Sequence, residues 1–143
     1  MVTIAPVRRT VAVAAVPERA FEAFTADIGR WWPMARHSVF GEQASVAFED
    51  GRLVERLGAE VSEWGEVLEW DPPRLLRLTW RPGNPAEEAT EVTVRFRPDG
   101  AGTRVELEHS GWERHARGQA AADGYGVGWP IVLGAYAEDV AAA

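Results

Sequence analysis

The chain has no cysteine among its 143 residues, and none of its 15 basic residues is a lysine. A thiolate nucleophile, a disulfide, a thiolate metal site and a Schiff-base amine are all excluded by those two absences. No apolar run reaches the about 18 residues that a membrane-spanning helix needs, and the N-terminal stretch lacks the continuous apolar segment of a secretory signal. A cytoplasmic location is the resulting expectation. Positive charge is also in deficit: 22 Asp and Glu against 15 Arg give a net charge of −7. Such a surface repels phosphate backbones, so nucleic acid is not an expected partner. His37, His109 and His115 are scattered, without the spacing of a metal site, and neither metal nor cofactor is expected.

What is abundant is tryptophan, with seven residues in a chain that is 46% apolar. Length and apolar content suit one hydrophobic core, and a single domain over residues 1–143 is expected. Tryptophan is large and its N–H needs an acceptor when buried. Two readings stand side by side: rings that fill a core, or rings that line a cavity.

Periodicity supplies the elements. Val7, Val11 and Val13 alternate with Arg8 and Thr10 as in a half-buried strand. Val16-Pro17-Glu18 opens a helix that buries Phe21, Phe24 and Ile28 and is expected to end at Gly29. Trp31-Trp32-Pro33 then enters an irregular loop running to about residue 43. From residue 44 a period of two, punctuated by Asp50-Gly51, Gly58, Asp71-Pro72-Pro73, Pro82-Gly83-Asn84-Pro85 and Asp99-Gly100-Ala101-Gly102, reads as a meander of five or six strands. Leu76, Leu78 and Trp80, then Val92, Val94 and Phe96, then Val105, Leu107 and His109 fall on one covered face. Arg77, Arg81, Arg95, Arg97, Arg104, Glu106 and Glu108 fall on a wet face where Arg and Glu pair across strands. Residues 113–142 are Ala-rich and lack the strand period. A poor helical stretch before Gly124 and a firm helix from Trp129 or Pro130 are expected, with Gly124-Tyr125-Gly126-Val127-Gly128 as a hinge or close-packing turn. The order of elements is that of an α+β domain with helices on one face of an antiparallel sheet.

Several stretches together resemble one family. They are Val16-Pro17-Glu18 with Phe21, Trp31-Trp32, Gly65-Glu66-Val67-Leu68-Glu69-Trp70-Asp71-Pro72-Pro73 running into Leu78-Thr79-Trp80, Gly102-Thr103-Arg104-Val105-Glu106-Leu107, His109, Gly111 and Gly128-Trp129. Over nearly the whole chain the sequence is similar to the activator of heat shock protein 90 ATPase-like domains of the START and birch-pollen-allergen (SRPBCC) superfamily. The resemblance implies a helix-grip fold, a curved sheet of six to seven antiparallel strands wrapped around a long C-terminal helix, with short helices after the first strand. Three functions are expected: binding of a lipid-like or aromatic hydrophobic small molecule, read from the aromatic excess on the covered face; an enzyme of the polyketide cyclase or hydratase type, which the superfamily also contains, using His109 or an inward, buried Glu as acid or base; or a chaperone contact that regulates an ATPase, which the family name implies. A monomer or homodimer is expected.

The leading expectation is a ligand cavity between sheet and C-terminal helix, lined by Trp80, Phe96, Leu107, His109, Trp129 and Leu133, with Trp31 and Trp32 at its entrance. His109 is the candidate acid or base. His37 and His115 are read as solvated. Glu55, Glu66 and Glu69 either face solvent and pair with Arg52, Arg56 or Arg77, the favoured reading, or send one carboxyl inward. The covered face of residues 52–70 stays open, because Trp64, Leu68 and Trp70 compete with Gly65 and Val67 for it.

Overall fold

The computed structural model describes residues 3–142; the expected domain over 1–143 also includes Met1, Val2 and Ala143, which lie outside the described residues. Alternating valines form β1 (Val7–Val13), and α1 (Pro17–Thr25) follows with Pro17 in its first turn. The expected helix end at Gly29 is corrected: α1 stops at Thr25, and a separate turn, α2, spans Ile28–Trp31. The Thr25 hydroxyl bonds back to the Phe21 carbonyl (2.7 Å), and the Asp27 amide reaches five residues back to Glu22. Both loosen the helical ladder there. Gly29 serves close approach instead, since a Cβ on it would lie 2.7 Å from the Val46 carbonyl oxygen.

Six strands follow: β2 (Ser45–Glu49), β3 (Arg52–Leu57), β4 (Glu60–Asp71), β5 (Leu75–Trp80), β6 (Thr90–Asp99) and β7 (Gly102–Ser110). They hydrogen-bond in the order β1-β7-β6-β5-β4-β3-β2, and every neighbouring pair is antiparallel. The β2–β3 turn puts Asp50 and Gly51 at φ 49° and 76°, the twist that a two-residue hairpin favours. Register shifts at Leu53/Val54 and at Val67/Glu69 each leave one β4 residue, Trp64 and Leu68, without a partner and re-phase β4. Gly65 lies between them, where a Cβ would fall 1.8 Å from the Thr79 carbonyl oxygen. These irregularities bend the sheet. On the wet face, Arg97–Glu106 (2.6 Å), Arg77–Glu91 (3.0 Å) and Arg81–Glu63 (2.8 Å) pair across strands.

The last helix also departs from expectation. A single helix, α3, runs from Gly118 to Ala142, through the glycines and through Pro130. Proline has no N–H to give the carbonyl four residues back, which is that of Gly126. The Arg9 guanidinium, reaching over from β1, donates to that carbonyl at 2.8 Å. Arg9 thus replaces the lost donor, and a Cβ at Gly126 would crowd the same guanidinium at 3.2 Å. Arg30 of α2 grips Asp139 of α3 through two hydrogen bonds (2.7 and 2.8 Å), which hold the Asp139 carboxyl below its usual range. No helix among the described residues is long and apolar enough to cross a membrane.

The core between sheet and α3 contains Phe21, Phe24, Leu76, Leu78, Val94, Phe96, Val105, Leu107, Leu133 and Tyr136. Six tryptophans are buried, and only Trp70 is substantially exposed, at 47%. Each buried indole N–H finds an acceptor. Trp31 donates to Ala23 (2.7 Å), Trp32 to His37 (2.7 Å) and Trp112 to His109 (3.0 Å), all at backbone carbonyls. Trp64 donates to the Glu55 carboxyl (2.9 Å), Trp80 to the Tyr125 hydroxyl (3.1 Å) and Trp129 to the His109 ring (3.0 Å).

Candidate functional site

At one end of the grip, residues 36–39 and α3 border a cleft of about 370 Å³. Its helical wall is Ala121, Gly124, Tyr125, Gly128, Trp129 and Val132, which recur at three- and four-residue spacing and therefore share one face of α3. Trp32 and Trp80 form the base, and Arg36, His37, Ser38, Val39 and Pro82 form the outer wall. Gly124 deepens the helical wall: a Cβ there would meet nothing within 4 Å. At Gly128 a Cβ would sit 3.4 Å from the His37 ring, so glycine lets the loop close down on the helix.

The outer wall is not a free loop. Trp32 donates to the His37 carbonyl from beneath, and the His37 amide bonds to Pro33 (3.1 Å). Behind it, the fully buried Glu55 receives the Val39 amide on Oε1 and the Phe40 amide on Oε2, each at 2.8 Å, while the Trp64 indole also donates to Oε1. The outward pairing favoured for Glu55 is thus corrected. Alternation alone places Glu55 on the face of the buried Leu53, two residues before it; the outward reading followed from the cost of burying a carboxyl, which the three donors here offset. Glu69 does pair with Arg77 (3.3 Å), whereas Arg52 pairs with Glu63 and Arg56 with Glu49.

Of the residues expected to line a cavity, Trp32, Trp80 and Trp129 meet at the cleft. Trp31, Phe96, Leu107, His109 and Leu133 are buried but do not line it. The interior below is nearly filled: about 10 Å³ remains among Phe24, Ile28, Leu78, Val92 and the rings of Trp32, Trp80 and Trp129.

His109 lies in a second aromatic layer, its ring centroid 4.0 Å from Trp112 and 4.8 Å from Tyr125. Trp129 donates to its Nδ1, so the ring proton resides on Nε2 and is donated to the Thr90 hydroxyl at 2.6 Å. Thr90 in turn donates to the Trp80 carbonyl (3.0 Å). Burial pushes the His109 pKa down to about 3, with a smaller contribution from His115, so the ring is neutral near pH 7. Both ring nitrogens are engaged inside the protein.

The cleft differs. Burial raises the Tyr125 phenol above its usual range, against a smaller opposing effect of the Trp80 hydrogen bond. Tyr125 accepts from Trp80, and among the described residues its own hydroxyl proton has no assigned acceptor. His37, expected to be solvated, is half-buried in the outer wall, and His115 is half-buried with the Arg117 amide on its Nδ1 (2.9 Å). The signal missed for Tyr125 is its spacing of four from Trp129, hidden by a glycine pattern that reads as a turn. No group of three or more potential metal-ligating side chains occurs among the described residues.

Comparison with known proteins agrees with this architecture. Residues 14–136 match the family model described as activator of Hsp90 ATPase homolog 1-like protein. Among solved structures, the chain is 39% identical to Txn09, an anthrahydroquino-gamma-pyrone synthase, over 85% of this chain and 86% of that one, with a TM-score of 0.59. It is 26% identical to CalC, a self-sacrificing resistance protein from Micromonospora echinospora, over 94% and 93% of the two chains, with a TM-score of 0.68. The fold is also that of the Aha1 dimer from Colwellia psychrerythraea (18% identity, 96% of each chain, TM-score 0.68). Among curated proteins there is no significant match. The chain belongs to the family of activator of Hsp90 ATPase homolog 1-like proteins.

Proposed function

We propose that this protein binds a flat, hydrophobic, largely aromatic small molecule in the cleft between α3 and residues 36–39. The observation that carries this reading is the conjunction of space with rings: about 370 Å³ bounded by Trp32, Trp80, Tyr125 and Trp129. Such a site offers ring faces for stacking and a few polar groups for orientation. Tyr125 supplies a hydroxyl donor, and Arg36, His37 and Ser38 supply the polar side. The name of Txn09, an anthrahydroquino-gamma-pyrone synthase at 39% identity, supports a fused aromatic ring as the occupant.

The test is titration with 1,8-dihydroxyanthraquinone, followed by tryptophan fluorescence and calorimetry. Saturable one-to-one binding is expected. Gly124→Leu, which fills the helical wall, is expected to abolish it while leaving the circular dichroism spectrum intact. Equal binding by Gly124→Leu would place the ligand elsewhere.

A second reading, acid–base chemistry on the bound ring, is favoured by the unspent proton of Tyr125 and the neighbouring His37 in the cleft wall. In that reading Tyr125→Phe binds the ring normally but loses turnover. Unchanged turnover in Tyr125→Phe would remove it.

A further inference from the structure

Glu55 lies outside the cleft and carries no solvent-exposed surface, yet it is tied to the cleft from two sides. Its oxygens receive the Val39 and Phe40 amides, which belong to the strip of chain that forms or directly continues the outer wall. Its third donor is the indole of Trp64, whose ring packs on Trp32 (centroids 5.2 Å apart) and on Trp80 (5.8 Å), both of them cleft residues. One buried carboxyl therefore joins the outer wall to the aromatic base. Packing alone does not explain a carboxyl here, since an apolar side chain of similar size would fill the volume without needing three donors. What an apolar side chain would not do is hold two successive loop amides at fixed positions.

We propose that Glu55 is the positioning residue of this cleft: it fixes residues 36–39 at the distance from α3 that admits one flat ring, and so governs affinity for a ligand it never touches. This rests on the ring-binding reading above. The wall's other anchors are the Trp32–His37 bond and local bonds within the loop, from the His37 amide to Pro33, from the Ser38 hydroxyl to Met34 and from the Gly41 amide to the Ser38 hydroxyl. Without Glu55, the Val39 and Phe40 amides lose their acceptor and exchange it for water, which lets the wall move outward. Preorganisation is then lost, and the ligand must order the loop as it binds.

The experiment compares wild type, Glu55→Gln and Glu55→Asp by amide hydrogen exchange and by titration with 1,8-dihydroxyanthraquinone, at a temperature where all three are folded. Glu55→Gln turns an amide donor toward a backbone N–H. It is expected to speed exchange at Val39 and Phe40 at least about tenfold and to weaken the probe by about tenfold, with exchange in α3 unchanged. Glu55→Asp, one methylene shorter, is expected to fall between on both readings and serves if the Gln variant does not fold. Faster exchange with unchanged affinity would overturn the proposal and leave the ring-binding reading standing. Unchanged exchange would overturn it directly. Failure of the wild-type protein to bind any probe would remove the ring-binding reading and this proposal's link to it, while the exchange data would still say whether Glu55 holds the wall.

Discussion

Two aromatic chambers lie side by side in this protein and share Trp80, Trp129 and Tyr125, yet they are built to opposite ends. Around His109, rings are packed against one another, and the donor chain from Trp129 through His109 and Thr90 to the Trp80 carbonyl leaves no polar atom free. Around Tyr125, glycines remove side chains, a pinned loop and the helix border a cleft, and a phenol keeps its proton. Polar groups in rings are therefore not by themselves a sign of chemistry. Complete pairing without space marks structure, and an unspent donor beside retained space marks a site.

The sharpest way to break this contrast is His109→Ala. It deletes a buried ring, orphans the Trp129 N–H and takes away the donor to the Thr90 hydroxyl, which keeps its own bond to the Trp80 carbonyl, so urea denaturation is expected to report a loss of about 3–4 kcal/mol. Probe affinity of the folded protein should change little. A stable His109→Ala protein that loses binding would make the inner chamber part of the site.

The next effect is on pH. The unfolded chain protonates His109 as pH falls through about 6.5, whereas the folded chain resists until about 3. The group's stabilising contribution is thus complete above the unfolded pKa and is lost on acidification between the two. From pH 7 to pH 5 it should amount to about 2 kcal/mol, and denaturation across that range in wild type and in a folded His109→Gln variant checks it. Equal slopes would show that His109 is not held neutral.

The smallest effect separates two glycines of one helix. A Cβ meets nothing within 4 Å at Gly124 or at Gly134, and only Gly124 lines the cleft. Alanine at either position should raise stability by about 0.5–1 kcal/mol, because glycine inside a helix costs that much. Only Gly124→Ala should also weaken the probe. Equal affinities in the two variants would mean that the helical wall does not set the cleft.

How much of this was legible in the sequence follows from local physics. Leu76, Leu78, Trp80, Val92, Val94, Phe96, Val105, Leu107 and His109 were placed on the covered face by their period of two, because β5, β6 and β7 pair without register shifts. Residues 60–70 resisted the same reading because both bulges insert an extra residue in β4, Trp64 opposite β3 and Leu68 opposite β5. Glu55 shares the phase of the buried Leu53, but it hid because a carboxyl is ordinarily expected to face solvent. The continuity of α3 was hidden for another reason. Pro130 is a helix breaker by local rules, and its rescue comes from Arg9, more than 100 residues away in the chain. The cleft itself was half legible: tryptophans announced rings, but the glycines that hold the space open read only as a turn.

The most direct test of the division between the two chambers follows the indole N–H signals of the seven tryptophans by NMR as 1,8-dihydroxyanthraquinone is added. The Trp80 signal, bonded to Tyr125 at the cleft, is expected to move most, with Trp32 and Trp129 responding and Trp31, Trp112 and the exposed Trp70 still. Movement centred on Trp112 or Trp70, with Trp80 unaffected, would contradict it.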